Sequence, residues 1–269
     1  RILARVCGEV RGNVTLRRQQ YRIADNTEKR IEVARNCIVG KVYNSRWILE
    51  RAIRDYPLRL DVEKIKEKSS FLASRLKEIR TCESPDKLLG LEGESASVYF
   101  SVFDELILQQ KETFYFHGRN RRPPLDNVNA MLSFAYSLLA GICTSALETV
   151  GLDPYVGFFH TDRPGRASLA LDIMEELRSV MADRFVLTLI NKRIVDSSGF
   201  LQKENGAVIM DDDTRKKFLA AWQDKKKEVI THPFLGEKME WGMVPHVQAM
   251  LLARYIRGDL EEYPPFLWK

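Results

Sequence analysis

The sequence predicts a mainly α-helical protein, and three observations carry that prediction. Through most of the 269 residues, apolar side chains recur at intervals of three and four, the spacing that lines one face of a helix. Helix-start chemistry precedes two such segments, at Ser84-Pro85-Asp86 and at Asp126, where a short polar side chain can accept an unpaired N–H of the first turn. Alternation of apolar and polar residues, the mark of a strand, is confined to the opening ILARVCGEVRGNV. A single strand is not stable by itself. Residues 1–13 are therefore read as the remnant, the last strand, of an otherwise missing N-terminal β domain, and residues 14–269 as a compact α-helical domain.

The elements follow in order. Residues 27–54 form a long charged segment with apolar positions Ile31, Ala34, Ile38, Val42 and Leu49, closed by Tyr56-Pro57, since the residue before a proline disfavours helix. Residues 61–79 repeat the pattern with Ile65, Leu72, Leu76 and Ile79. The helix opened by Ser84 is expected to run through LLGLEGESASVYF toward Leu108. A basic, aromatic loop over 114–124 separates it from the segment capped by Asp126, NVNAMLSFAYSLLAGICTSALETV, expected as the central core helix. A turn-rich loop over 151–164 holds His160, and a helix is expected over 168–189. A loop through Gly206, a helix over about 213–230 and a last helix over 245–257 complete the chain. No repeat at a solenoid period and no low-complexity linker interrupts it.

An apolar fraction of 45% with 29% charged residues is that of a folded chain and excludes a disordered one. No apolar run approaches the roughly 20 residues that span a bilayer. The longest, over 131–142, is broken by Ser133, Ser137 and Gly141, so a membrane protein is not expected. Cys7, Cys37, Cys82 and Cys143 are scattered without a CxxC pair, which suits free thiols in a reducing cytoplasm and argues against a zinc ribbon or an Fe–S cluster. The net charge of +5 is a mild bias toward polyanions. It is concentrated in GRNRRPP (118–124), RPGR (163–166), NKR (191–193) and KKK (225–227); the lysine run reads as a solvated face.

Asp172 and Glu175 stand three positions apart and face one way on their helix, with Glu176 on the adjoining edge beside the stripe Leu169, Ile173, Leu177 and Val180. By itself that helix reads as an acidic edge turned to water. Glu92 changes the reading. It sits mid-helix in Gly90-Leu91-Glu92-Gly93, where each glycine costs about 1 kcal/mol against alanine. Small residues around a carboxylate let a backbone or a phosphate come near. Among the four histidines, His117 reads as a surface residue beside the basic loop. His232 reads as a helix-end residue whose protonated ring suits the dipole, and His246 as structural. Only His160 leads directly into an acid-bearing helix.

One histidine with two or three carboxylates makes a mixed N/O set suited to Mg²⁺ or Mn²⁺, the imidazole tilting it toward Mn²⁺. Beside arginine-rich loops the chemistry that fits is phosphodiester transfer. No P-loop, GxSxG or dinucleotide fingerprint supports nucleotide hydrolysis or serine chemistry.

GLEG at 90–93, RRPPLDNVNAMLSFAYSLL at 121–139, GFFHTDRPGRASLALDIMEELR at 157–178 and LTLINKR at 187–193 resemble the CRISPR-associated integrase family, the catalytic half of the spacer-acquisition complex. HPFLGEK (232–238), the VPH at 244–246 and the ending YPPFL (263–267) are similar to its subtype I-C branch. The resemblance covers essentially the whole chain. It implies a catalytic metal site of Glu92, His160 and Asp172 with Mg²⁺ or Mn²⁺, and a weaker fourth ligand, Glu175, where some branches carry aspartate. It implies integration: a 3′-hydroxyl of a short DNA fragment attacks a phosphodiester at the edge of the CRISPR repeat, without ATP, with nuclease activity from the same site. It further implies a cytoplasmic homodimer on double-stranded DNA (prespacer and repeat), a small ferredoxin-like partner and an Fe–S exonuclease that trims incoming DNA. Arg119, Arg121, Arg122, Arg163 and Arg166 are the candidate phosphate contacts, with Arg178 and Arg193 as weaker ones. Two other readings stand beside integration: a non-catalytic DNA-binding scaffold subunit whose acids are structural, and a structure-specific DNA repair nuclease.

Overall fold

The computed structural model describes residues 13–269, of which helix α1 (Val14–Asp25) is the first element. The β remnant expected over 1–13, apart from Asn13, lies outside the described residues, as does Cys7. The described part is mainly helical, as the periodicity predicts.

α2 (Thr27–Asp55) is the spine. Asn26 caps it by accepting from Lys29 N at 3.0 Å, and Ile31, Ala34, Ile38, Val42 and Leu49 are buried, as their spacing demands. α3 (Val62–Arg80) packs along it, capped by Asp61. α4 (Pro85–Ser101) starts where Ser84 accepts from Lys87 N at 3.3 Å. It stops at Ser101 rather than continuing toward Leu108. Asp104 turns back to accept from Phe116 N at 2.6 Å, and Phe103 packs between Phe100 and Phe116, so the chain bends into a short 3-10 turn over Phe103–Leu106.

α5 (Asn127–Val150), capped by Asp126 on Asn129 N at 2.7 Å, is the core helix. By length and mean hydropathy (24 residues, 1.6) it alone among the described helices could cross a membrane, which the interrupted run over 131–142 does not suggest. Here Met131, Leu132, Ala135, Leu139 and Cys143 are buried against α6 and α9, while the outward positions Ser137, Gly141, Ser145 and Thr149 are small or polar. That is the outer face of a core helix and not a lipid-facing one. α6 (Ser168–Leu177) passes through a π-helical segment (Arg178–Asp183) into α7 (Arg184–Asn191), so the helix expected over 168–189 carries an interruption.

Two antiparallel hairpins, β1 (Phe200–Gln202) with β2 (Val208–Met210) and β3 (Val229–Thr231) with β4 (Lys238–Glu240), flank α8 (Asp212–Lys227). They replace the loop and the end of the helix expected there. Strands of three residues are too short to display alternation. α9 (Val244–Arg257) returns to α5, and the terminal residues Tyr263 and Phe266 are buried beside it. Cys37, Cys82 and Cys143 are buried free thiols, as expected of scattered cysteines.

α2 and α6 meet at Gly40. A Cβ there would stand 2.6 Å from Glu176 Cβ, so only glycine allows this approach. Four positions on, buried Asn44 donates to Glu176 O and Phe266 O, both at 2.7 Å, and accepts from Trp268 N. Glu176 itself is fully buried and accepts from Tyr263 Oη, from Gln248 Nε2 at 3.0 Å and from Phe266 N at 2.7 Å. Burial pushes its carboxyl up to about 7 despite those donors.

Gly40→Ala is expected to force α2 from α6 and lower stability by roughly 1–3 kcal/mol in denaturant unfolding. Glu176 also sets a pH effect. Its folded value lies above the ordinary 4.5, so the native state holds the extra proton between the two values. The group's contribution is full below about 4.5 and is lost as pH rises through about 7. The melting temperature of the wild type relative to Glu176→Gln should therefore fall between pH 5 and pH 8, and a difference independent of pH would contradict the buried carboxyl's role.

Candidate metal centre

The loop before α6 is stapled from both sides. Buried Gln20 of α1 donates to Asp153 O and Val156 O at 2.8 and 2.9 Å and accepts from Asp153 N. Arg30 of α2 donates to Phe158 O at 2.7 Å. Asp172 completes the arrangement from α6. One carboxylate oxygen accepts from Phe158 N (2.6 Å) and Phe159 N (2.9 Å), and the other from His160 N (2.9 Å), with His160 Nδ1 at 2.7 Å. Gly157 makes this possible, because a Cβ there would sit 2.9 Å from Asp172 Oδ2. With three backbone donors already converging on it, Asp172 acts as an acceptor, so the proton belongs on Nδ1 and the lone pair on Nε2.

His160 Nε2 lies 3.9 Å from Glu175 Oε1. Glu175 is 3% exposed, with Arg178 Nη2 at 2.5 Å from Oε1 and Lys41 Nζ at 2.7 Å from Oε2. The Lys41 contact is a charge pairing, and Oε2 receives no directed hydrogen bond. Burial works to raise the Glu175 carboxyl, but the charges of Arg178 and Lys41 outweigh it and hold it at about 2. The same Lys41 ammonium contacts Glu92 Oε1 from α4. Glu92, His160, Glu175 and Arg178 line a cavity of about 970 Å³ between α4, α5 and α6.

Glu92 and His160 thus reach the cavity as expected, and Glu175 joins them. Asp172 does not. It is fully buried, absent from the cavity wall and spent on the loop, so it orients His160 rather than facing Glu92. The reason is its position on the side of α6 that faces the turning backbone of 157–160. The acidic edge that α6 suggests by itself is likewise absent: Asp172, Glu175 and Glu176 are 0, 3 and 0% exposed.

Among the described residues no three His, Cys, Asp or Glu side chains stand together as a metal-binding group, and the Lys41 ammonium pairs with both Glu92 and Glu175. The donor chemistry nevertheless fits a hard divalent cation: two carboxylates, one buried oxygen without a directed donor, and an imidazole nitrogen whose partner nitrogen is held by a carboxylate.

The arginines divide. Arg121 and Arg122 are exposed on the cavity rim. Arg119 lines the cavity but is engaged with Asn129 Oδ1 (2.6 Å) and Ser133 Oγ (3.1 Å). Arg178 is a site cation bound to Glu175. Arg163 is exposed beyond the cavity lining, Arg166 folds back on Thr161 and Ser168, and Arg193 donates to Gln109. His117 stacks on Tyr115 at the rim. His232 is not the protonated helix-end residue that the sequence suggests. It follows β3 rather than a helix, is fully buried and bonds Gln248 Oε1 at 3.1 Å. Burial lowers its pKa, which favours the neutral ring.

Sequence reasoning misses Lys41, Tyr136 and Asp183. Tyr136 donates to Asp183 at 2.5 Å while Arg119 and Arg178 lie over its ring at 5.1 and 5.0 Å. Burial pushes Asp183 up to about 6. The π-helical segment holds Arg178 and Asp183 at its two ends, and such segments recur at functional sites. The available signal for Lys41 is a cation three residues after Ile38 on the buried stripe of α2.

The family model described as "CRISPR associated protein Cas1" matches residues 1–224 of this chain. The "CRISPR-associated endonuclease Cas1 1" of Chlorobaculum tepidum is 51% identical over 269 residues, all of this chain and 78% of that one. A "CRISPR-associated exonuclease Cas4/endonuclease Cas1 fusion" of Rhodospirillum rubrum is 37% identical, covering 94% of this chain and 43% of the fusion. Among solved structures, "Casposase bound to integration product" superposes with a TM-score of 0.85 at 26% identity over 99% of this chain and 72% of that one. A chain of a "Partial Cas6-RT-Cas1--Cas2 complex" has the same fold, with a TM-score of 0.79 at 21% identity over 96% and 74%.

Asp172→Asn is expected to cost roughly 1–3 kcal/mol of stability by spoiling an acceptor of several backbone donors. It should also speed hydrogen exchange at the Phe158, Phe159 and His160 amides. Unchanged exchange there would contradict a positioning role for Asp172.

Proposed function

The chain belongs to the CRISPR-associated Cas1 family, and from that premise we propose that it is a metal-dependent DNA integrase and endonuclease that inserts short DNA fragments into a CRISPR array. The observation that carries this reading is that Glu92, His160 and Glu175 line one cavity together with Arg121 and Arg122, with His160 Nε2 3.9 Å from Glu175. In this reading Glu92, His160 and Glu175 hold Mg²⁺ or Mn²⁺. Asp172 takes the supporting place behind His160 instead of the ligand place that the sequence resemblance implies. A bound divalent ion would supply charge stabilisation to a phosphodiester under attack by a 3′-hydroxyl.

The protein's own groups account for the remainder. Asp172 fixes the ring of His160 and keeps its Nε2 lone pair toward the cavity. Arg178 neutralises Glu175 and keeps it ionised. Arg121 and Arg122, free at the rim, are suited to bind the DNA backbone through its phosphates, an interaction that weakens with salt. Arg163 at the exposed loop is suited to the same task outside the cavity. Arg119, Arg166 and Arg193, already hydrogen-bonded within the protein, serve to shape its loops.

The reading extends to partners. A homodimer acting on prespacer and repeat DNA, with a small ferredoxin-like protein bridging dimers, is consistent with the Cas1–Cas2 complex whose chain shares this fold. A trimming Fe–S exonuclease is consistent with the Cas4/Cas1 fusion. Subtype I-C rests on HPFLGEK, VPH and YPPFL, and a cytoplasmic location follows from action on chromosomal DNA.

Half-site integration with Mn²⁺ tests the proposal. Glu92→Ala, His160→Ala and Glu175→Ala are each expected to lower strand transfer by about a hundredfold or more, with DNA affinity retained. Loss of strand transfer with DNA binding retained would exclude the scaffold reading, strand transfer persisting in Glu92→Ala or His160→Ala would overturn the metal-site assignment, and free cleaved ends without joined DNA would favour a repair nuclease. Arg121→Ala with Arg122→Ala should weaken DNA binding and flatten its salt dependence by about two units of slope.

A further inference from the structure

We propose that Lys41 is a resident cation of the metal-free site, holding Glu92 and Glu175 together until a divalent ion displaces it. The inference rests on the assignment of those two glutamates as ligands.

Three helices bring the groups together. Lys41 projects from α2, Glu92 from α4 and Glu175 from α6. Gly40, immediately before Lys41, is where α2 comes closest to α6, so the lysine is delivered to Glu175 by the same contact that packs the helices. Its ammonium contacts Glu92 Oε1 and stands 2.7 Å from Glu175 Oε2. Lys41 is 7% exposed. A buried lysine needs a partner, and the buried Glu175 beside the partly buried Glu92 needs a cation. Each requirement is met by the other.

The geometry also makes Lys41 a competitor. Arg178 pairs with Oε1 of Glu175, whereas Lys41 pairs with Oε2 and with Glu92 Oε1, bridging the two carboxylates. A divalent ion held by Glu92 and Glu175 together would need those oxygens and would repel an ammonium at the same point. Lys41 also lines the 970 Å³ cavity, so its flexible side chain has room to swing aside without moving α2. The metal-free protein thereby keeps its ligands arranged and avoids buried unpaired charge, while its affinity for divalent ions is reduced.

Titration calorimetry of Mn²⁺ into metal-stripped protein at one pH, with melting temperatures in chelator and in Mn²⁺, tests this directly. Lys41→Met is expected to bind Mn²⁺ on the order of tenfold or more tighter, because a unit charge is removed from within a few ångströms of the ion. It should melt lower than the wild type in chelator and gain more from Mn²⁺. Lys41→Arg should behave like the wild type, and Lys41→Gln replaces Lys41→Met if the latter does not fold. Equal or weaker Mn²⁺ binding by the uncharged variants would reduce Lys41 to a structural residue and overturn the inference. If the wild type binds no Mn²⁺, or Glu175→Gln binds it as the wild type does, the ligand assignment falls first and the inference with it.

Discussion

The approach of α2 to α6 at Gly40 is the constraint on which the rest of the site depends. A side chain at that position would overlap the first carbon of Glu176. Because it is glycine, the two helices close, and the residues on either side of the contact acquire their roles. Lys41 meets Glu175 on the cavity side. Asn44 meets the backbone of Glu176 and of the C-terminal segment on the other. A single absent methyl group therefore couples the packing of the core to the electrostatics of the cavity.

The five-residue span of α6 from Asp172 to Glu176 shows how position assigns chemistry to like side chains. Asp172 lies under the loop and accepts from its backbone, which leaves His160 oriented and its outer nitrogen available. Glu175, almost one turn on, faces the cavity between Lys41 and Arg178 and is held ionised at about 2. Glu176, rotated about 100° further around the helix axis, points to the opposite side. There Gln248, Tyr263 and Phe266 enclose it, and burial raises it to about 7. Burial is common to all three, and what differs is whether cations, backbone amides or neutral donors satisfy the charge.

Rigid support surrounds this arrangement. α1 and α2 staple the loop that carries His160, and the π-helical segment after α6 sets Arg178 and Asp183 on either side of Tyr136. The buried chain from His232 through Gln248 to Glu176 ties β3, α9 and α6 together. Groups meant to act together must be held by neighbours whose own rotamers are fixed, and here nearly every polar side chain of the site has such a neighbour. The rim arginines Arg121 and Arg122 are the exception, which suits side chains that must meet a ligand from solvent.

The sequence by itself determined the helical class, most helix starts and the residues that matter in the loop and in GLEG. Caps and apolar spacing are local properties, and Asn26, Asp61, Ser84 and Asp126 act within a few residues of where they stand. It also brought Glu92, His160 and the acids of α6 under suspicion. The short hairpins were not legible, because three residues are too few to show a period. Nor could periodicity say which acid of α6 faces the cavity, since Asp172 and Glu175 share one helical face. That choice was made by tertiary contacts: Gly157 lets the loop close over Asp172, and Gly40 brings Lys41 to Glu175. Both depend on segments far apart in the chain, and long-range proximity is the one property that local spacing does not encode.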